Sequence, residues 1–380
     1  MTEPRLADDE FYTAPEITGH QPGALLKMRK AVLPQLDSVQ AWQILYVATD
    51  NFGEKLPASG SVIVPDSNAA AGAGPLVAYV PSFHGMGGRC APSQLLQGGA
   101  EREIDHIAMA LDRGWTVAIP DGRGLGVHDV GPHTFLAGFS GGAAVLDIVR
   151  AAQTIPDLDC LDAPIGVWGY ADGGRYAVWA AEMAPDYAPE LDLRGVTAGA
   201  VIADPGELAE RYDLGPYPGL GWAATLGLAR ANSHLPMLHM VNPIGQTVLS
   251  FVQNSTATQV LARFGRPISQ YCDRADPWSD PVWRYALDRE RSGQRNPRCP
   301  LHLYHGTDDI FVPIETAEHL RDTYRAAGVE VSWRDYQCGH YETATEGASE
   351  AVTRLSAYLQ HQPDRPDKAG PTTFPSEAAP

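Results

Sequence analysis

Three positions in this chain follow the order nucleophile, acid, base, and the first of them carries only a methyl group. Ile165 to Gly174 reads as a buried strand running into a tight, glycine-lined turn, and a helix opens with Arg175. A turn of the form G-x-S-x-G lifts a serine hydroxyl above the end of a strand, where a base can reach it. Here the central residue is Ala171. Downstream, Leu301 to Tyr304 reads as a strand, followed by Gly306, Thr307, Asp308 and Asp309. A carboxylate at the end of a late strand can orient a histidine and stabilise its protonated form, and Asp309 is the candidate. Asp308 is a turn residue or a neighbour of that acid, since aspartate is common in turns, and Asp204, after an earlier strand, is a further alternative. His340, in the segment Cys338-Gly339-His340 after the last strand, is the candidate base.

An acyl-transfer site also needs N–H groups aimed at a developing oxyanion. The loop Ser82 to Gly88 follows an apolar strand and contains His84 and Gly85. Gly85 is the candidate donor from this loop, and the backbone N–H of Asp172, next after the apex, is the second. Gly138-Phe139-Ser140-Gly141-Gly142 matches G-x-S-x-G literally, but no strand ends beneath it, so Ser140 reads as a helix-opening residue and a decoy. The glycines at 122, 124 and 126 fit neither a phosphate loop nor a dinucleotide fingerprint. Cys338-Gly339-His340 is too short to place two ligands on one metal. No cofactor and no metal are expected.

The elements that would hold these residues alternate. Strands are expected near 42–49, 60–65, 75–81, 115–120, 165–169, 196–203, 300–304 and 329–336, the first two paired as a hairpin. Helices are expected near 101–113, 142–152, 315–327 and 345–360. Continuous apolar strands alternating with helices predict an α/β fold, a mostly parallel sheet covered on both faces. Residues 1–35 are polar and are expected to wrap the surface, and 68–74 reads as a loop. Residues 205–285 break the rhythm with Pro216, Pro218, Gly219 and Gly221, then with apolar helical stretches at 222–228 and 248–264. They read as a helical cap inserted into a core formed by 1–204 and 286–361, with a disordered tail at 362–380.

A net charge of −18 without any basic run argues against nucleic acid and anionic membrane as partners. No stretch reaches the ~18 apolar residues of a membrane span. The acidic first ten residues lack the apolar core of a signal peptide, so the expected compartment is the cytoplasm, where thiols stay reduced. Five cysteines leave at least one outside any intramolecular pair. The oligomeric state is not readable from these residues.

Taken together, the segments His84 to Ser93, Pro120 to Gly126, Trp168 to Pro185 and His305 to Asp309 resemble the secretory lipase family within the α/β-hydrolase fold. The resemblance implies a triad at 171, 309 and 340, a helical lid, and acyl esters or another hydrophobic small molecule as ligand. It also implies disulfides Cys90–Cys272 and Cys299–Cys338, with Cys160 left free. The chain departs from the pattern at Ala171 and in lacking an export signal. Three readings of Ala171 stand: an engineered removal of the serine from an active esterase; a natural non-hydrolytic member that binds a ligand or performs acid–base chemistry with His340; or a nucleophile moved to Asp172.

Overall fold

A computed structural model of the chain describes residues 9–66, 74–156 and 158–361. Most of the expected loop at 68–74 and all of the expected tail from 362 lie outside the described residues.

Among the described residues, nine strands form one sheet in the order β1-β2-β3-β5-β4-β6-β7-β8-β9. They are β1 (Leu25–Ala31), β2 (Val39–Thr49), β3 (Lys55–Pro65), β4 (Leu76–Val80), β5 (Thr116–Pro120), β6 (Ile165–Tyr170), β7 (Leu193–Gly199), β8 (Leu301–Gly306) and β9 (Val331–Tyr336). The first three are antiparallel, β3 meets β5 antiparallel, and the pairs from β5 through β9 are parallel. β4, β5, β6 and β8 are buried along their whole lengths, as strands covered on both faces must be. On one face pack α3 (Gly138–Gln153), α4 (Asp172–Tyr187) and α10 (Ile314–Ala326). The other face carries α1 (Pro92–Gln97), α2 (Ile104–Leu111) and the last helix, α11 (His340–Gln360).

From β4 the chain passes first to β5 on one side and then to β6 on the other. This reversal opens a crevice above the carboxyl ends of β4 and β6, where parallel α/β sheets place their ligands. The loop after β4 and the turn after β6 therefore meet there.

Above those strand ends lie α5 (Pro205–Leu214), α6 (Pro218–Ala231), α7 (Pro243–Val252), α8 (Ala257–Arg263) and α9 (Pro281–Arg289). Four of them start on a proline, three behind an Asp204, Asn242 or Asp280 cap, and α8 has a complete Thr256–Gln259 capping box. Their apolar faces form a cluster around Trp222, Leu249, Val260 and Trp283. The cluster includes Met86, Phe135, Ile202 and Phe311 from loops at the strand ends.

Several elements differ from the sequence reading. Residues 25–31 form an edge strand rather than a surface wrap. Lys27, Arg29 and Lys30 made the stretch look polar, and such charges are what an exposed sheet edge tolerates. α11 starts at His340 and α3 at Gly138, each several residues earlier than expected.

Candidate active site

β6 ends at Tyr170, and Ala171 turns the chain into α4 with φ 55° and ψ −118°. Such a conformation costs of order 1–3 kcal/mol for a residue bearing a Cβ, so the surroundings must impose it. The Ala171 N–H donates to the Gly199 carbonyl (2.9 Å), and its carbonyl accepts from Arg175 (2.9 Å). Gly173 lies so close to β4 that a Cβ there would stand 2.1 Å from the Val80 carbonyl oxygen. The first turn of α4 is tied down by Arg175, which is fully buried. It donates to the Leu136 carbonyl (3.0 Å), the Ile202 carbonyl (2.9 Å) and the Glu290 carboxylate (2.8 Å).

Asp309 lies in the loop after β8. Its Oδ1 accepts the N–H groups of Phe311 (2.8 Å) and Val312 (2.9 Å), and its Oδ2 accepts from His340 Nδ1 (2.6 Å). Burial alone would raise this carboxyl. The bond and charge of His340 and the Val312 amide outweigh burial, and hold it below the usual carboxylate range. His340 opens α11 and sits among the rings of Tyr170, Phe311 and Tyr341, and its carbonyl accepts from Tyr170 Oη (2.6 Å). With Nδ1 committed to Asp309, Nε2 is the basic nitrogen. Ala171 and His340 line one half-open cavity, with Phe83, Phe135, Asp172, Ile202, Leu220, Leu261 and Phe311 among its other walls.

Asp172 is the unexpected member. Its carboxylate is buried, and Oδ1 accepts the N–H of Phe83 in the loop after β4 (2.8 Å). Burial pushes this carboxyl up to about 7, and the amides of Phe83 and of Asp172 itself pull it back only in part. The sequence reading used Asp172 for its amide or as a displaced nucleophile, and passed over its side chain as an acceptor. The available signal was an acidic residue between Ala171 and Gly173, at a turn whose every neighbour is buried.

Gly85 stands elsewhere. It pairs with Thr256 in an isolated antiparallel bridge, flanked by bonds from Met86 N–H to the Ser255 carbonyl (2.9 Å) and from Ala257 N–H to the His84 carbonyl (2.8 Å). This contact with the start of α8 carries Gly85 out of the cavity wall, and Ser82 and Phe83 take that place. His84 is buried against Glu101 (2.9 Å). Ser140 is the third residue of α3, and its hydroxyl and N–H both bond Asn51 Oδ1 (2.5 and 3.0 Å). Asp204 caps α5, and Asp308 is exposed at the turn.

All five cysteines are free thiols. Cys299 precedes the start of β8, whereas Cys338 lies past the end of β9, its carbonyl bonded to the Asp308 N–H. β8 and β9 run parallel in register, so the two cysteines stand at opposite ends of the sheet. They are about 20 Å apart, against the ~7 Å limit for a bridge. Cys272 Sγ donates instead to the Ile268 carbonyl (3.4 Å) and Cys90 Sγ to the Ser255 carbonyl (3.9 Å). Neither implied disulfide is formed. Among the described residues no cluster of metal-ligating side chains occurs, and no helix is long and apolar enough to cross a membrane.

Residues 91–365 match the family model described as secretory lipase. A probable inactive lipase of Mycobacterium tuberculosis is 30% identical over 352 residues, covering 86% of this chain and 76% of its own length. Lipase A of Arthroderma benhamiae is 26% identical over 377 residues, covering 92% and 78%. Among solved structures, Candida antarctica lipase A in its closed state superposes with a TM-score of 0.79 at 21% identity, covering 94% of this chain and 96% of that one. The rice cell wall degrading esterase LipA of Xanthomonas oryzae gives a TM-score of 0.71 at 18% identity, with 89% and 97% covered.

Proposed function

The chain belongs to the secretory lipase family, and on that premise we propose that this member does not turn over esters through a serine. It holds a hydrophobic ligand in the cavity beneath the helical cap. The observation that carries the reading is the methyl group of Ala171 at the apex of a strained strand-to-helix turn. Loss of the serine from a triad costs about 10⁶-fold in kcat, so the chain is not a competent serine esterase. The Asp172 carboxylate on the Phe83 N–H supports the same reading, because an acyl-transfer site needs that amide free. The name of the M. tuberculosis relative, a probable inactive lipase, is in keeping with it. The walls supplied by Phe83, Phe135, Ile202, Leu220, Leu261 and Phe311 suit an alkyl chain. In this reading Ala171 keeps the nucleophile's position, and Asp309 and His340 keep those of acid and base.

Binding of n-alkyl ligands of increasing chain length tests it. Affinity is expected to rise by up to about 0.8 kcal/mol per buried methylene until the cavity is filled, and Leu220→Ser or Leu261→Ser should flatten the trend. A series without length dependence, or hydrolysis of p-nitrophenyl esters above the buffer rate, overturns the reading. The short His340–Asp309 contact favours a second reading, in which His340 abstracts a proton from the bound ligand without a covalent intermediate. His340→Ala would then leave binding unchanged and abolish ligand conversion.

A further inference from the structure

In a hydrolase of this fold, two N–H groups receive the negative charge that develops on the carbonyl oxygen. One comes from the loop after β4 and the other from the residue after the apex. By chain position the first belongs to the loop after β4, which holds Phe83, and the second is Asp172 N–H. The Asp172 carboxylate accepts the Phe83 N–H at 2.8 Å. The protein has thus set a carboxylate of its own against an amide of that loop, in the wall of the cavity that Ala171 and His340 line.

The consequence for a ligand follows from hydrogen-bond chemistry. An ester carbonyl entering the crevice brings an acceptor to a donor that another acceptor already holds. A fatty carboxylate brings, in addition, a like charge next to a buried carboxylate. A hydroxyl or an ammonium group does the reverse, since it donates to the carboxylate and completes its coordination. Arg102, at the rim, spends a guanidinium N–H on the Phe83 carbonyl (2.9 Å), and His340 is held by Asp309. The remaining lining beside Asp172 is largely aromatic and aliphatic.

We infer that the cavity selects an apolar ligand with a hydrogen-bond-donating head group, a primary alcohol or amine, over the matching carboxylate or ester. Asp172 is the residue that sets this preference. The inference rests on the ligand-binding reading above.

Octanol, octylammonium and octanoate share one chain and differ only in the head group. Titration calorimetry of the wild-type protein with each, at about pH 8, where Asp172 is ionised, reads the preference directly. Octanol and octylammonium are expected to bind at least ~10-fold more tightly than octanoate, the size of one hydrogen bond to a charged group. Asp172→Asn should weaken octylammonium by about 10-fold and strengthen octanoate. Asp172→Gly, which frees the Phe83 amide, should make octanoate the preferred ligand. Octanoate binding the wild type as tightly as octanol overturns the inference, as does an order of affinities that neither variant changes. If the three probes bind equally well, the inference falls and the ligand-binding reading stands; if none binds, both fall. Should a variant fail to fold, the wild-type ratio alone decides.

Discussion

The two halves of the site are built differently. At the end of β8, Asp309 is fixed by two backbone amides only two and three residues ahead, and it meets His340 at 2.6 Å. At the end of β6, the apex carries a methyl group and the next residue a carboxylate that covers the Phe83 amide. Asp309 and His340 form a close carboxylate–imidazole pair, whereas the turn after β6 offers only a methyl group, and its Asp172 carboxylate takes up the Phe83 amide. Yet the elbow backbone keeps its strained conformation, because backbone contacts such as Gly173 on Val80 and the Arg175 anchor impose it. The shape of the turn is thus a property of the strand–helix packing, and the chemistry can be removed from it without relaxing the shape.

The largest expected effect comes from rebuilding the missing half. Ala171→Ser restores the hydroxyl but leaves the Asp172 carboxylate on the oxyanion donor. Ala171→Ser with Asp172→Gly restores both. On p-nitrophenyl esters the double variant should exceed the wild type by about 10⁵-fold or more. The single Ala171→Ser variant should fall about 10²–10³-fold short of the double, the cost of one lost oxyanion donor. Equal rates for the single and double variants would show that Asp172 does not obstruct the site.

The intact half can be broken on the same background. In the double variant, Asp309→Asn should lower kcat by about 10⁴-fold, because it leaves His340 in the wrong tautomer. His340→Ala should cost at least as much. Ser140→Ala should leave the rate within about two-fold, since that hydroxyl is spent on Asn51 in the turn between β2 and β3. A large loss at Ser140 would move the nucleophile's position to the other pentapeptide.

These contrasts also mark what could be read from the chain. The inner strands β4, β5 and β6 were legible because burial on both faces writes them as largely apolar runs, whereas β8 carries the buried His302 and His305 and was read from its Leu and Tyr positions. The pairing of Asp309 with His340 was suggested by their places in the loops after β8 and β9, and the two side chains meet at 2.6 Å. The start of α3 was not legible. Gly141 looks like a helix breaker, but it lies where a Cβ would meet the Tyr176 ring at 2.0 Å, so its glycine serves helix–helix packing. Which amide of the Ser82–Gly88 loop faces the elbow was hidden as well. It depends on the Gly85–Thr256 bridge, a contact between segments about 170 residues apart. The separation of Cys299 from Cys338 follows from the parallel register of β8 and β9, which cysteine spacing does not encode.

The two halves differ, too, in what supports them. The elbow's first helical turn rests on the buried Arg175–Glu290 pair, and Glu290 also accepts the Gly138 N–H (2.6 Å) that opens α3. Removing one partner strands a buried charge. Glu290→Ala should therefore lower stability in denaturant titrations by about 3–5 kcal/mol. Replacing both with apolar residues, Arg175→Met with Glu290→Leu, should cost markedly less. If the double replacement costs as much as the single, the anchor works through geometry rather than through charge compensation.

The smallest effect separates the two carboxylates of the site by sign. Asp172 is pushed up to about 7 by burial, whereas in an unfolded chain it ionises near 3.9. Between those values the unfolded state gives up a proton that the folded state keeps. The stability this group contributes is therefore complete below about pH 4 and is lost as pH rises to about 7. Asp172→Asn has no proton to lose. It should match the wild type near pH 4 and exceed it at pH 8, with a melting temperature higher by something on the order of 5 °C. Asp309 runs the other way, because His340 and the Val312 amide hold it below its unfolded value. Its contribution is present above about pH 4 and is lost as pH falls below that. Asp309→Asn should accordingly lower the melting temperature at pH 8, and the difference should shrink as the solution is acidified. Melting curves of the three proteins across this range give the two signs directly. Shifts in the same direction for both variants would mean that Asp172 is a stabilising ion like Asp309. The elbow would then not be the strained, charge-blocked half of the site.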